Sequence, residues 1–484
     1  MHLPAILFSD VLSTAMAGCV GLAALHGLHR LGLLGTWLRR SIPSPPETLS
    51  GTAPFVTVQL PLYNERDVAR RLIEACARLD WPRDRFDLQV LDDSTDDTRA
   101  VVDQAAAAVR HAGVHVEVVR RSTRTGFKAG ALAAGLLRAR GDLIAVFDAD
   151  FVPDPTFLSR VIPTFADPRV GMVQARWGHL NADESWLTRA QASLLDGHFV
   201  IEHAARQAAG CWFNFNGTAG VWRRACIDGA GGWEGDTLTE DLDLSYRAQL
   251  AGWSFAYRPD VTVPAELPPS IAAFRVQQRR WAMGSIQVAQ KLGRRIFDAE
   301  VPRRVRAEAL AHLWANLAWL PALGLIVGLP WTVLARVGEP PPAVGLVSLA
   351  LCTLPNVVFY RLASGSFRDV VPALLLAIGL APAQARAVVE ALVGRRPGFA
   401  RTPKRGEGGR SSYEPDRTRG WLELGLVVPH LAAAALAIAR GHASAAPFLL
   451  FFAAGLAWVG SGAVGARSAA RGEHQKGSAL RGAA

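Results

Sequence analysis

The sequence predicts a mostly parallel α/β domain joined to an α-helical transmembrane region, and two observations carry that prediction. Residues 54–260 alternate apolar strands with amphipathic helices, the pattern of a parallel sheet covered by crossover helices. Long uncharged apolar runs lie on both sides of that segment. Half of the 484 residues are hydrophobic and only 19% are charged, against about 25% charged in an ordinary soluble domain. That composition excludes a disordered or fibrous chain. The 52 Lys and Arg outnumber the 42 Asp and Glu, giving a net charge of +10.

The first apolar run, Val11–His29, carries no formal charge and is followed by Arg30, Arg39 and Arg40. A cleaved signal peptide would begin with a basic segment. This one has Asp10 and no Lys or Arg before Arg30, so an uncleaved anchor helix with its basic end in the cytosol is expected. Apolar runs resume after Val305. Ala309–Ala335, Pro340–Tyr360 and Gly441–Ala466 each lack Asp, Glu, Lys and Arg and exceed the ~20 residues that cross a bilayer. Val370–Ala385 and Leu424–Ala439 have 16 residues each. If both crossed, the segment 395–419, with eight Lys/Arg against three acids, would face outward, against the positive-inside bias. With Val370–Ala385 in the interface instead, the basic stretches 30–40, 361–368, 395–419 and the tail all become cytosolic.

The expected organisation is therefore an anchor helix and linker at 1–48 and a cytosolic domain at 49–305. A membrane region of about four helices follows at 306–466, with an interfacial helix near 370–390 and a cytosolic loop at 395–419. A basic cytosolic tail closes the chain at 467–484, for five spans in a cell membrane with the large domain inside. Juxtamembrane cations suit an anionic lipid leaflet and account for the net charge. No basic helix with interleaved aromatics is present, so no nucleic-acid partner is expected. The five cysteines, at 19, 76, 211, 226 and 352, form no C-x-x-C pair, which speaks against a disulfide framework or zinc cluster.

Within the domain, strands are expected at Phe55–Leu60, Phe86–Leu91, Val114–Val119, Leu143–Phe147, Val170–Ala175 and Trp212–Arg223. Helices are expected at Asp67–Leu79, Asp97–Ala112 and Ala129–Arg140. Ligands of such sheets bind beyond the carboxyl ends of the strands. Polar residues cluster at three of those ends: Tyr63-Asn64-Glu65, Asp92-Asp93-Ser94 and Asp148-Ala149-Asp150. No G-x-G-x-x-G follows the first strand and no G-x-x-x-x-G-K-[ST] occurs, so dinucleotide and P-loop readings lose support.

Each motif has a chemical and a structural reading. Asp148 and Asp150 repel unless a cation joins them, and Mg²⁺ is typically held by one or two carboxylates plus phosphate oxygens; alternatively Asp150 begins a turn and caps the helix near Pro155. The stretch Asp92–Thr98 is too acidic for one loop without a cationic or donor-rich partner. Asp92 and Asp93 are placed to accept hydrogen bonds from a base or ribose, and Asp96 or Asp97 to cap the next helix. Lys128, just ahead of a helix, either meets a phosphate or is solvated. Thr239-Glu240-Asp241 opens a helix: Thr239 as N-cap with acids in the first turn explains it structurally, and Asp241 as general base explains it chemically. Gln277, Arg280 and Trp281 share a helical face. They either sit at the headgroup boundary or hold a sugar ring and its hydroxyl or phosphate groups.

The series P-x-Y-N-E, D-D-S, K-A-G, D-x-D, T-E-D and Q-x-x-R-W, in this order and followed by apolar helices, resembles family 2 glycosyltransferases of the processive polysaccharide-synthase type. Leu79–Arg85, Gln89–Ser94, Asn214–Arg223 and Gln277–Trp281 look like the cellulose-synthase-like mannan and glucomannan synthases and their xyloglucan-backbone relatives. The resemblance implies a GT-A fold. It also implies that Tyr63, Glu65, Asp93, Lys128 and Asp148 contact the donor nucleotide, and that Asp148 and Asp150 hold its diphosphate through Mg²⁺ or Mn²⁺. Asp241 would be the base, with Glu240 beside it. Gln277, Arg280 and Trp281 would shape the acceptor site and meet the diphosphate. The family's gating-loop pattern F-x-V-T-x-K is matched by Phe399, Thr402 and Lys404, with Arg401 in place of Val. The implied partners are GDP-mannose or UDP-glucose, a growing β-linked glycan and the lipid bilayer; polysaccharide-export partners are not specified. Cyclic-dinucleotide control through an appended domain is not expected. Two other activities remain open from sequence: transfer of a single sugar to a lipid acceptor, and an inactive scaffold.

Overall fold

The computed structural model describes residues 3–40, 51–335, 343–395 and 420–481. Its centre is a sheet of seven strands: β1 Val56–Leu62, β2 Phe86–Asp92, β3 Val116–Val119, β4 Leu143–Val146, β5 Val170–His179, β6 Gly220–Arg223 and β7 Ser254–Ala265. Their order is β3-β2-β1-β4-β6-β5-β7. β6 runs antiparallel to both of its neighbours, and the other adjacent pairs are parallel. The carboxyl ends of β1, β2 and β4 therefore share one edge.

Alternation along the strands explains the layers. Val56, Val58 and Leu60 point into one buried cluster with Leu72, Ile73, Val102 and Ala105 of the helices Arg66–Ala77 and Thr98–His111. The residues between them face the other way, where Gln59, Gln89 and Glu117 stand in register. Gln59 Nε2 donates to Gln89 at 3.1 Å and Gln89 Nε2 donates to Glu117 at 3.3 Å, a polar ladder across three strands in which the buried Gln59 Oε1 accepts no bond from the described residues. On that face Ile144, Val146, Leu132 and Trp222 form the second core.

Three departures from the expected elements have local causes. The strand expected at Trp212–Arg223 forms only at Gly220–Arg223, because Gly217 (φ +83°) and Ala219 (φ +54°) turn the chain just before it. β5 continues past Ala175 to His179 by pairing with β7, with a register shift between Ala175 and Arg176. β7 itself escaped the sequence reading because Pro259 and Pro264 interrupt its alternation; as an edge strand it tolerates them.

Among the described residues, five helices are long and apolar enough to cross a membrane: Val11–Leu38, Arg303–Leu334, Phe367–Leu392, Trp421–Ala439 and Ala443–Val464. The expected run Pro340–Tyr360 overlaps a helix at Ala343–Ser364. The apolar run Val370–Ala385, expected within an interfacial helix near 370–390, lies in a helix of 26 residues, Phe367–Leu392. It continues because Arg386 and Glu390 pair one turn apart at 2.9 Å. Its Leu376 and Leu380 pack on Ile271 and Phe274, and its Ala387, Val388 and Ala391 on Ala282, Met283 and Ile286. It thus covers the helix Ile271–Phe297. All five cysteines are free.

Trp222 on β6 is fully buried and meets Phe215, Trp233 and Phe255 edge-on at 5.5, 5.9 and 5.4 Å. Trp222→Ala removes that hub and should destabilise the domain by about 3–5 kcal/mol. The check is the thermal midpoint of the detergent-solubilised protein. A clear fall is expected, and an unchanged midpoint would contradict this reading of the second core.

Candidate active site

One cleft, of about 1230 Å³ with the solvent at its mouth included, is lined by Tyr63 and Glu65 after β1, Asp93 after β2 and Asp148 and Asp150 after β4. Lys128 enters from the first turn of the helix Phe127–Leu136, and Glu240 and Asp241 from the start of the helix Glu240–Leu250. Gln277, Arg280 and Trp281 close it from the helix Ile271–Phe297. Of the described residues that the sequence singled out for chemistry, Asp92 alone is not here; it is buried and turned to Arg120. Phe399, Thr402 and Lys404 lie outside the described residues.

The acidic loop after β2 finds its cations within the chain. Arg120 Nε donates to Asp92 at 2.8 Å. Arg121 grips Asp93 with two bonds, Nε at 3.0 Å and Nη2 at 2.5 Å, the fork geometry that suits a carboxylate. Sequence reasoning assigned that cationic partner to nobody. The signal was present: Arg120 and Arg121 directly follow β3, whose parallel register sets them opposite the end of β2. Asp96 accepts from Thr98 N, the first residue of the next helix, at 3.0 Å, and Asp97 stands at the N-cap position without a side-chain cap bond. Arg124 lies over the Tyr63 ring at 3.4 Å, so Tyr63 enters the cleft with one face already stacked.

Lys128 is neither solvated nor turned outward. Its Nζ donates to Asp148 Oδ1 at 2.5 Å and to the Gly217 carbonyl at 2.8 Å. Burial by itself lowers an ammonium pKa, but the charges of Asp148, Glu240 and Asp241 outweigh it and hold Lys128 above its ordinary value. Asp241 behaves inversely. Burial first, then the neighbouring Glu240 charge, push it up to about 7, against the pull of Lys128, a backbone bond and Arg280. Leu242 N donates to Asp241 Oδ1 at 2.8 Å. Gly217 makes the close approach possible: a Cβ there would meet Asp241 Oδ2 at 2.8 Å.

The structural readings of two motifs hold only in part. Thr239 stands at the N-cap position with Glu240, Asp241 and Asp243 in the first turn, but its hydroxyl makes no cap bond and, with its methyl, packs against Gly284. The turn after β4 is capped by Asp154, which accepts from Thr156 N at 2.9 Å, so that job does not fall to Asp150. Trp177 and His179 were missed because β5 was expected to end at Ala175. Both line the cleft. Trp177 stacks on Phe199 at 5.0 Å and tilts toward Trp281 at 6.3 Å. His179 Nε2 meets Asp196 Oδ1 at 3.1 Å.

Asp148 and Asp150 fit a hard divalent cation by their donor chemistry. They supply oxygen ligands from either side of Ala149 just after β4, and a set of two carboxylates is completed by phosphate oxygens and water. The described residues hold one cluster of three acids with ligand atoms within 4.8 Å of one another, Glu234, Asp236 and Asp243. Lys291 Nζ already fills it, at 2.6, 2.9 and 3.0 Å.

Residues 53–284 match the family described as glycosyltransferase like family 2. The chain is 45% identical over 255 residues to a probable glucomannan 4-beta-mannosyltransferase 3 of Oryza sativa subsp. japonica, covering 51% of this chain and 46% of that protein. It is 44% identical over 248 residues to glucomannan 4-beta-mannosyltransferase 2 of Arabidopsis thaliana, covering 50% and 46%. The chain therefore spans about half the length of the curated relatives it matches. Among solved structures, the mannosyltransferase PcManGT from Pyrobaculum calidifontis, in complex with GDP-Man and Mn²⁺, superposes with a TM-score of 0.55 at 22% identity, over 76% of this chain and 97% of that one. That likeness bears on the fold, which is GT-A.

The Asp241 carboxyl gives a stability signature. Its folded pKa of about 7 lies above the unfolded carboxylate value of about 3.9, so between these limits the folded state holds the extra proton. Folding stability contributed by that proton is therefore lost as pH rises from about 4 through 7. Asp241→Asn cannot ionise, and its thermal midpoint should gain on that of the wild type between pH 5 and pH 8. An equal difference at both pH values would contradict the raised pKa.

Proposed function

Taking as premise that residues 53–284 form a family 2 glycosyltransferase domain of the cellulose-synthase-like type, we propose that the protein is an inverting, metal-dependent membrane hexosyltransferase. It builds a β-1,4-linked mannan, glucomannan or glucan from GDP-mannose or UDP-glucose. The identity to glucomannan mannosyltransferases over the catalytic half supports the mannosyl version. The reading includes the five-span topology expected from charge, with the cleft on the cytosolic side of a cell membrane and the growing chain leaving among the helices.

The observation that carries the proposal is Asp241: a carboxyl pushed up to about 7, in the same cleft as Asp148, Asp150 and Lys128. A base with a pKa near the working pH is the efficient one. Asp241 takes the proton of the acceptor hydroxyl as that oxygen bonds to the anomeric carbon. The bond from that carbon to the diphosphate breaks on the opposite side, and an α-linked donor yields a β-glycosidic bond. Asp148 and Asp150 would hold Mg²⁺ or Mn²⁺ against the diphosphate, and what the bound cation supplies is neutralisation of the leaving group's charge. Lys128 keeps Asp148 in place, and Arg280 faces the departing diphosphate. Trp281 and Trp177 offer flat faces to the acceptor sugars. Asp93, fixed by Arg121, accepts from the base or ribose.

With Mn²⁺ and a β-1,4-manno-oligosaccharide, purified protein should release GDP from GDP-mannose or UDP from UDP-glucose when the two are assayed side by side. Release from neither would contradict the proposal. Asp241→Asn should lower kcat by about 10² or more with donor affinity little changed. Wild-type kcat should rise with pH through about 7, where Asp241 loses its proton. A profile flat between pH 6 and 8 would remove Asp241 as the base.

A further inference from the structure

The helix Ile271–Phe297 belongs to two structures at once. At 3.6 residues per turn, Gln277, Arg280, Trp281 and Gly284 fall on one side, and Arg275, Arg279, Ala282, Met283 and Ile286 on the other. The first side lines the cleft through Gln277, Arg280 and Trp281. The second side meets helices that are long and apolar enough to cross a membrane. Arg275 Nη1 lies 2.8 Å from Glu423 Oε1 of Trp421–Ala439, with side chains 6% and 1% exposed. One turn on, Arg279 Nη2 lies 2.5 Å from Glu390 Oε2 of Phe367–Leu392. The second oxygen of Glu390 holds Arg386 at 2.9 Å.

The Arg275–Glu423 pair is buried and Arg279 is partly exposed; a buried ion pair adds little stability over an apolar contact of the same shape, and a partly exposed one adds little by itself. What they supply is direction. Ala282, Met283 and Ile286 against Ala387, Val388 and Ala391 form a smooth apolar seam that tolerates rotation and sliding. Two carboxylates anchored in separate helices, each matched to one arginine a turn apart, allow a single rotation. A turn of the helix by one residue would swing Trp281 and Arg280 off the cleft.

We propose that Glu423 and Glu390 are positioning residues: through Arg275 and Arg279 they hold the Gln277, Arg280 and Trp281 face toward the acceptor glycan. The assignment of that face to the acceptor rests on the function proposed above. Apart from Arg280, which faces the diphosphate, the donor groups sit elsewhere, on the sheet edge and on the helix of Lys128, so loss of this face weakens acceptor binding more than donor binding.

The test uses full-length protein in detergent. Mannohexaose binding is followed by tryptophan fluorescence and GDP binding with Mn²⁺ by calorimetry, neither of which needs turnover. Glu423→Gln should weaken mannohexaose about tenfold, some 1.4 kcal/mol, with the GDP Kd within about twofold. The double variant Arg275→Met/Glu423→Leu replaces the pair with apolar side chains of similar volume. It should melt at or above the wild-type temperature and still bind mannohexaose weakly. That combination separates positioning from support of the fold, and it decides even if Glu423→Gln misfolds. A stable double variant with wild-type mannohexaose affinity, or parallel losses for mannohexaose and GDP, would overturn the proposal. Wild-type protein that binds both ligands but releases no nucleoside diphosphate from a donor would sink the catalytic reading alone, leaving the variant affinities to judge this one.

Discussion

The cleft depends on one ammonium group. Lys128 Nζ bonds to Asp148 and to the Gly217 carbonyl and lies close enough to Glu240 and Asp241 to be raised by both. Those acids come from the end of β4 and the start of the helix Glu240–Leu250, stretches remote in sequence. Without a positive charge among them, carboxylates brought this close would repel or take up protons. The same balance leaves Asp241 high, because burial and Glu240 outweigh the pull of Lys128. The site thus holds one acid fixed as a carboxylate partner and another poised to exchange a proton.

Topology makes that meeting possible. β1, β2 and β4 run parallel, so their polar ends gather on one edge, and the reversed β6 is entered through the turn at Gly217. That turn sets a carbonyl against Lys128 and bare backbone against Asp241. The far wall is supplied by the helix Ile271–Phe297, whose other side is packed on membrane-length helices. The segment 186–208 also joins the sheet domain to the apolar bundle, with Leu187 and Ala190 packed on Leu376 and Ile201 on Leu34 and Phe359.

Much of this was legible in the sequence, and the omissions are instructive. Strands β1 to β4 were readable because buried parallel strands are nearly continuous apolar runs closed by polar turns. The candidate residues were readable because they follow those strands. β7 was hidden by Pro259 and Pro264, and with it the extension of β5 that carries Trp177 and His179 to the cleft. Arg120 and Arg121 looked like ordinary loop cations until strand order set them beside Asp92 and Asp93. Thr239 looked like a helix cap by composition, but its side chain fits a contact with Gly284 that no local pattern encodes. The helix at Phe367–Leu392 was expected near 370–390, but Arg386 and Glu390 read as its wet end, whereas they pair with each other and with Arg279.

The central claim is that acids from separate loops and one lysine form a single metal–diphosphate site. Calorimetric titration of GDP and of UDP into the wild-type protein and Asp150→Asn, with and without Mn²⁺, tests it most directly. The account predicts saturable binding of at least one nucleotide that requires the metal and is lost in the variant. Binding of equal strength without metal, or undiminished in Asp150→Asn, would contradict it.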